Sequence, residues 1–297
     1  MEMCGIMSVT ILIKVGAKMK KKYSQGLVMD PETATLKPVK RGQYIQQWIY
    51  GFVEPAILKT TTFMYDSPIR TKLYNKLATP KSLPREVVVS TEAVCRFIDF
   101  IYTQNAGNES PRMAVTKCVC QTATNTFKEP VEKDMALLYT ANLYSQLDVK
   151  RNGVGEPYRI IETAEEAKDM IRYFDECGLV HSILYCHSSG KWTFVVCNCD
   201  DEICVPIRAY KAGRRDQVLA GPEVVTQDAS KCTGCGKCVS RCFFDANKMI
   251  NGKAVLDAEK CLGCGLCAST CEGHARTLIP RPDYQHEDTV TTKILLG

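Results

Sequence analysis

Cysteine is the side chain with the most chemistry to offer in this sequence, at 17 of 297 residues. Lys231 opens KCTGCGKCVSRC and Lys260 opens KCLGCGLCASTC. Cys232, Cys235, Cys238 and Cys242, and then Cys261, Cys264, Cys267 and Cys271, therefore repeat one pattern, C-x2-C-x2-C-x3-C. Three thiols at i, i+3 and i+6 on a tight loop can wrap three corners of an iron-sulfur cubane, while the fourth starts a helix that points elsewhere. Gly234, Gly236, Gly263 and Gly265 suit such a loop, which needs unusual backbone angles and amides close to sulfur. Zinc modules mostly use paired C-x2-C units or include His, so the repeated four-cysteine run points to iron.

Over residues 226 to 282 the sequence resembles the bacterial-type ferredoxins that carry two 4Fe-4S clusters. The resemblance implies a small pseudo-twofold fold of two hairpins and two helices. It also implies crossed ligation, with Cys232, Cys235, Cys238 and Cys271 holding one cluster and Cys261, Cys264, Cys267 and Cys242 the other. The Pro usual after the fourth cysteine is Phe243 in the first motif and Glu272 in the second. Between the motifs, Asn251-Gly252 separates Lys248-Met249-Ile250 from Ala254-Val255-Leu256, which predicts a hairpin with a two-residue turn.

Nine cysteines remain: Cys4, Cys95, Cys118, Cys120, Cys177, Cys186, Cys197, Cys199 and Cys204. Cys118 and Cys120 follow the extended-looking Met113 to Lys117, and Cys197 and Cys199 end the strand-like run from Trp192. Residues i and i+2 of a strand share a face, so each pair would present two thiols together. Two such edges offer four thiolates to zinc or to a third iron-sulfur cluster, with Cys204, Cys186 or His187 as substitutes. The competing reading is that they are buried small hydrophobes. Cys95 and Cys177 are expected in the core on apolar helix faces. GLVH from Gly178, VCNC from Val196 and the trailing repeat resemble a group of iron-sulfur electron-transfer proteins from anaerobes, over roughly residues 86 to 282. In that group a C-x-C is followed by two further cysteines around a Pro; FKEPVEKD, from Phe127 to Asp134, has none.

Elements must hold these groups in place. Ser90 or Thr91 caps a helix through Tyr102 with Ala93, Val94, Phe97, Ile98 and Ile101 on its apolar face. Val131 to Leu147 reads as a second helix. Thr163-Ala164-Glu165-Glu166 is a capping box for a third, closed at Gly178. His181 to His187, the turn Ser188-Ser189-Gly190 and Lys191 to Cys199 read as a hairpin. Tyr44 to Leu58 carries apolar pairs at a step of four, a helical stripe that Gly51 and Pro55 should kink. It would cover the protein's own core, or else dock on a partner protein or a membrane surface. The expected fold class is α+β: a helical N-terminal and middle region with a β-hairpin, then a ferredoxin-type domain with two 4Fe-4S clusters. The expected domains are a basic segment at 1–85, a mixed domain with the C-x-C pairs at 86–212, and the ferredoxin domain with a polar tail at 213–297.

Composition fits this frame. Hydrophobic residues make up 45% and charged residues 24%, enough to build a core and too apolar for a disordered chain. The first 85 residues hold 14 Lys and Arg against 5 Asp and Glu, a basic arm suited to an acidic partner. The run from Ile6 to Val15 falls well short of the ~20 residues of a membrane span, and Glu2 with the lysines at 18 and 20 to 22 argues against a secretory signal. A long chain in a reducing compartment uses clustered thiols for metal rather than disulfides, so a cytoplasmic location is expected. His181 is expected as a satisfied core residue, His274 beside Cys271 as a tuner of a cluster, and His286 in the tail. No phosphate loop, dinucleotide fingerprint, hydrolase triad or nucleic-acid motif is present. The expected function is electron transfer through two 4Fe-4S clusters, as a subunit or partner of a larger anaerobic oxidoreductase. The alternative is an oxidoreductase enzyme with a catalytic centre at Cys118, Cys120, Cys197 and Cys199. A nucleic-acid-binding redox sensor is the weakest reading.

Overall fold

The computed structural model describes residues 27–29, 33, 35–77, 85–104, 110–144, 159–186, 192–284 and 295. The elements run β1 (Leu27–Met29), β2 (Leu36–Pro38), α1 (Arg41–Tyr65), α2 (Pro68–Leu77), β3 (Arg85–Val89), α3 (Thr91–Thr103), β4 (Met113–Lys117), α4 (Val119–Thr124), β5 (Glu132–Leu137), α5 (Tyr139–Tyr144) and β6 (Arg159–Ile161). They continue with α6 (Ala164–Glu176), β7 (Val180–Cys186), β8 (Trp192–Cys199), α7 (Val205–Lys211), β9 (Val218–Leu219), β10 (Glu223–Gln227), α8 (Lys237–Ser240), β11 (Asn247–Ile250), β12 (Lys253–Leu256), α9 (Leu266–Ser269) and β13 (Arg276–Pro280). Among the described residues, no helix is long and apolar enough to cross a membrane.

A seven-stranded sheet, in the order β6-β4-β5-β8-β7-β3-β9, organises the molecule up to Leu219. All its pairings are antiparallel except β3 with β9. Strand alternation sorts its side chains into two layers. Val87, Val89, Met113, Val115, Met135, Leu137, Ile183 and Val196 join the main core, where α3 and α6 supply Phe97, Ile98, Ile171 and Phe174. The neighbouring positions point the other way, toward α1, α4 and α7, and they include Glu86, Thr116, Asp134, Cys197 and Cys199.

The expected caps are present. Ser90 accepts from the Ala93 amide at 3.1 Å, and all five apolar residues of α3 named above are buried. Thr163 caps α6 by accepting from the Glu166 amide. Gly178, at φ +82°, closes that helix while the Leu179 amide bonds the Phe174 carbonyl. The hairpin predicted around residues 188–190 is the β7–β8 pair, with His181 opposite Asn198; its turn lies outside the described residues. The apolar stripe from Tyr44 to Leu58 lies in α1, which runs unbroken through Gly51 and Pro55 and packs on α4 and α7.

The expected helix from Val131 to Leu147 is corrected. Glu132–Leu137 is a strand between β4 and β8, Leu138 turns the chain at φ +51°, and among the described residues of this stretch only Tyr139–Tyr144 is helical. A continuous apolar run such as Met135 to Tyr139 suits a strand buried on both faces as well as a buried helix. Here two neighbouring strands pair with it, which settles the choice.

Candidate metal centres

The carboxy-terminal segment is built on the antiparallel pair β10–β13 and the hairpin β11–β12, with Asn251 and Gly252 both at positive φ in the turn. Gly234, Gly236, Gly263 and Gly265 all lie at φ between +74° and +87°. At two of them a side chain has no room. A Cβ on Gly234 would lie 2.3 Å from the Gly252 carbonyl oxygen, and one on Gly263 would lie 2.1 Å from that of Glu223.

Cys242, Cys261, Cys264 and Cys267 line one cavity, with Phe244 and Asn247 beside them. Cys242 has left its own motif to join three cysteines of the other. Burial pushes the Cys267 thiol up to about 12 and Cys264 higher still, with the neighbouring cysteines adding to both. Four thiolates could share this space only with a metal supplying the opposing charge, and metal binding would release their protons. The all-sulfur donor set around an enclosed space fits an iron-sulfur cluster.

Cys271 is brought to the first motif's loop. The turn that follows Cys271 packs on the first loop, since a Cβ on Gly273 would lie 2.7 Å from the Lys231 carbonyl oxygen. Lys237 and Glu272 form an ion pair across the junction. Cys271 Sγ accepts from the Ala275 amide at 3.3 Å, and Arg276 Nη2 lies 3.6 Å from Cys238 Sγ. Cys232 is held below the usual thiol range by the Ala254 and Gly234 amides. His274 stands exposed in the turn at φ +49°.

A second thiol group lies in the sheet domain. Cys197 and Cys199 share a face of β8 as expected, but Cys118 and Cys120 are not on a strand. β4 ends at Lys117, the chain turns at Cys118, and Cys120 sits in the first turn of α4. Asp134 makes this turn, accepting from the Val119 amide at 2.8 Å. Cys204 arrives as the residue capping α7. The five thiols are electrostatic neighbours in succession, Cys118 beside Cys120, Cys120 beside Cys204, Cys204 beside Cys199 and Cys199 beside Cys197. Donor atoms of Glu86, Cys199 and Cys204 all lie within 4.8 Å of one another, and Glu86 Oε2 is 3.9 Å from Cys199 Sγ.

Charge is distributed unevenly across this group. Donation from Cys197 and Cys204 brings Cys199 down to about 5, and donation from Cys118 and Cys204 holds Cys120 well below its ordinary value. Cys118 and Cys197 are raised, each by its neighbouring cysteine and by burial, and Cys204 is raised by burial and by its neighbouring cysteines. Burial, with nearby thiolates adding to it, lifts Asp134 to about 8 and Glu86 well above the carboxylate range. Lys133 loses from burial, yet its 2.8 Å bond to Asp200 keeps the ammonium charged beside the sulfurs.

Cys204 entered the sequence reading only as a substitute ligand, and Glu86, Lys133, Asp134 and Asp200 were not singled out. Their signal was a charged residue inside a strand-forming apolar run, as in REVVV and EKDMAL. Cys95 is half-buried. Cys177, expected in the core, is exposed, because α6 ends at Glu176 and the chain turns out at Cys177-Gly178. His181 is buried, with its Nδ1 2.7 Å from Asn198 Oδ1. Cys4, His187, His286 and the side chain of Cys186 lie outside the described residues.

The two thiol regions meet at Phe243. This residue follows Cys242, packs against the cluster of Phe244, Leu262 and Leu266 on one side, and packs against that of Cys199, Cys204 and Ile207 on the other.

Residues 224–272 match a protein family described as 4Fe-4S dicluster domain. No curated protein and no solved structure matches the chain. The carboxy-terminal segment is an iron-sulfur domain of the ferredoxin type, it binds 4Fe-4S, and electron transfer is the chemistry of such a domain.

Proposed function

We propose that this protein moves single electrons through two 4Fe-4S clusters to a third metal centre in its own sheet domain. The clusters are held by Cys232, Cys235, Cys238 and Cys271, and by Cys261, Cys264, Cys267 and Cys242. The third centre is held by thiolates drawn from Cys118, Cys120, Cys197, Cys199 and Cys204, with Glu86 at its edge. Soft sulfur donors suit a further iron-sulfur cluster, which would accept the electrons, or zinc, which has no redox chemistry and would leave the two clusters as the whole electron path. The observation that carries the reading is the convergence of five cysteines from three separate elements, of which Cys197, Cys199 and Cys204 share a cluster with Phe243, the residue after Cys242. Buried thiols used only as small hydrophobes have no reason to gather beside buried carboxyls and an ion pair.

When bound, the clusters supply one-electron redox chemistry at potentials set by burial, net charge and hydrogen bonds to sulfur. The chain's own part is to place Arg276 and the Ala275 amide on the first cluster's sulfurs, and to keep the second cluster dry within Phe244 and Leu262. Lys133 offsets the thiolate charge of the third centre. On this reading the donor and acceptor are separate redox proteins of an anaerobic, reducing cytoplasm, one of them a larger oxidoreductase. The basic residues of the first 85 would be the docking charge.

The test is metal and acid-labile sulfide per chain in protein purified without oxygen. About eight irons are required by two cubanes, with additional iron or zinc at the third centre. Cys199→Ser should remove only the additional metal, and Cys264→Ser only iron of the ferredoxin segment. About eight irons and no other metal would end the case for the third centre; a chain free of iron and sulfide would end the whole reading.

A further inference from the structure

Between α1 and the cysteine-bearing face of the sheet lies a cavity of about 80 Å³. At ~10–15 Å³ per water-sized group it has room for a handful of heavy atoms. Its walls are mostly aliphatic, supplied by α1, α7 and the sheet. Three carboxyl groups line it, those of Glu54, Glu86 and Asp134, together with the sulfurs of Cys120 and Cys197. Among the described residues, no Lys, Arg or His lines it.

Glu54 is the informative residue. It is 8% exposed, it stands on α1 across the cavity from the sheet, and among the described residues none hydrogen-bonds its carboxyl. Its electrostatic neighbours are Cys120 and Asp134, both acidic. A carboxyl buried without a donor or an opposing charge costs stability unless something else occupies the space in front of it. Burial accordingly raises this group to about 8, so the protein alone leaves it protonated at neutral pH.

We propose that this cavity binds a small aliphatic ammonium ion, its nitrogen against Glu54 and its carbon chain along the aliphatic wall. Its polar lining is those three carboxyls with the neutral side chains of Thr61, Thr116 and Gln217, so a carboxylate or phosphate would meet like charge with no opposing cation. An ammonium nitrogen would draw the proton off the Glu54 carboxyl and pair with the carboxylate, an ion pair that a neutral alcohol cannot make. A hard metal cation would need six or more oxygen ligands in place of aliphatic carbon. A ligand seated here touches Cys120 and Cys197, so binding should register at the third centre. The proposal goes beyond the electron-transfer reading, and the cavity and its lining exist whether or not the cysteines hold metal.

The experiment uses full-length protein purified without oxygen, with its metal content measured on the same sample. Propylammonium, propan-1-ol and propanoate, which share a carbon skeleton, are titrated calorimetrically, and magnesium chloride serves as a metal control. One propylammonium per chain is expected, with propan-1-ol at least tenfold weaker and no heat from propanoate. Glu54→Gln should weaken propylammonium at least tenfold while iron, sulfide and the EPR signals of the reduced clusters stay unchanged. Should Glu54→Gln lose iron, Leu58→Trp, which fills the cavity from the same helix, takes its place and should also abolish binding. Equal affinity for the alcohol, displacement by magnesium, undiminished binding in the variants, or no propylammonium binding at all would each overturn the proposal. A sample that binds propylammonium but carries no third metal sinks the third centre and leaves this site standing; the reverse result does the opposite.

Discussion

Lys133 and Asp200 are buried on both sides of a 2.8 Å ion pair, with side chains 1% and 6% exposed. Such a pair contributes little net stability over a well-packed apolar replacement, but breaking it leaves a lone charge in low dielectric. Lys133→Met should therefore destabilise the protein by ~3–5 kcal/mol, read as a lower denaturant midpoint. The amides of Glu202 and Ile203, which Asp200 also accepts from, soften the loss. Glu54 allows a prediction in pH. Because its folded pKa is raised to about 8 from an ordinary value of 4.5, the native state keeps a proton that the unfolded chain has released. Its contribution to stability is thus greatest at low pH and falls as pH rises from about 4.5 to about 8. Glu54→Gln should gain on the wild type across that window and hold a constant advantage above it, measured by urea unfolding of both proteins at matched pH. A variant whose difference from wild type is flat in pH would show that the carboxyl titrates normally. At this scale the eight ferredoxin cysteines were legible because their spacing is local. Glu86, Lys133, Asp134 and Glu54 were not, since a charge becomes informative only when burial is known, and burial here depends on strands and helices far apart in sequence.

Two glycines separate strain from collision at the level of the element. Gly252 sits at φ +75° in the β11–β12 turn with no atom within 4 Å of a built Cβ. Gly263 has a similar φ of +87°, but its Cβ would lie 2.1 Å from the backbone oxygen of Glu223. Gly252→Ala should therefore cost only the left-handed penalty, ~1–2 kcal/mol, and keep its full iron complement. Gly263→Ala must push the cluster loop off β10, and about half the iron should go with it, leaving about four per chain as one cubane requires. Iron analysis beside a melting curve distinguishes the two, and full iron in both would show that the loop has room to move. Local signals read well here: Asn251-Gly252 made its hairpin, Ser90 and Thr163 made their caps, and the stripe on α3 was buried. The seven-stranded sheet was legible only at the β7–β8 hairpin. Its other strands are three to six residues, or two for β9, and largely buried on both faces, so they lack the alternation that betrays a half-exposed strand. Their register is set by partners more than a hundred residues away, as β3 with β9 illustrates.

Across the whole molecule, the ferredoxin segment and the sheet domain share a core. Phe244, Leu262 and Leu266 from the first pack with Val88, Val180, Tyr210 and Val218 from the second. Glu223 on β10 accepts from Ser90 at the start of α3 and pairs with Arg96. Leu266→Ala, at a position 1% exposed, should cost ~2–5 kcal/mol and lower the melting of both parts together, because neither buries this face alone. Separate transitions for iron release and sheet unfolding would refute a shared core. The same interface gives Phe243 its role. Ferredoxins of the resembled type carry Pro after the fourth cysteine, a residue too small to span to a second domain; here the residue after Cys242 is an aromatic ring packed against the cluster of Cys199, Cys204 and Ile207. Electron tunnelling weakens steeply across an unfilled gap, so the ring belongs to the path if the third centre receives electrons from the second cluster. Phe243→Leu keeps an apolar side chain at a half-buried site and should change stability by less than ~1.5 kcal/mol. Mixed with dithionite and followed by rapid-freeze EPR, the wild type should reduce the third centre in step with its ferredoxin clusters. The variant should reduce the clusters at the same rate and the third centre with a lag. Identical kinetics at both centres in the variant would place electron entry to the third centre elsewhere, whereas a lag confined to that centre would establish the ring as the junction between the two redox regions.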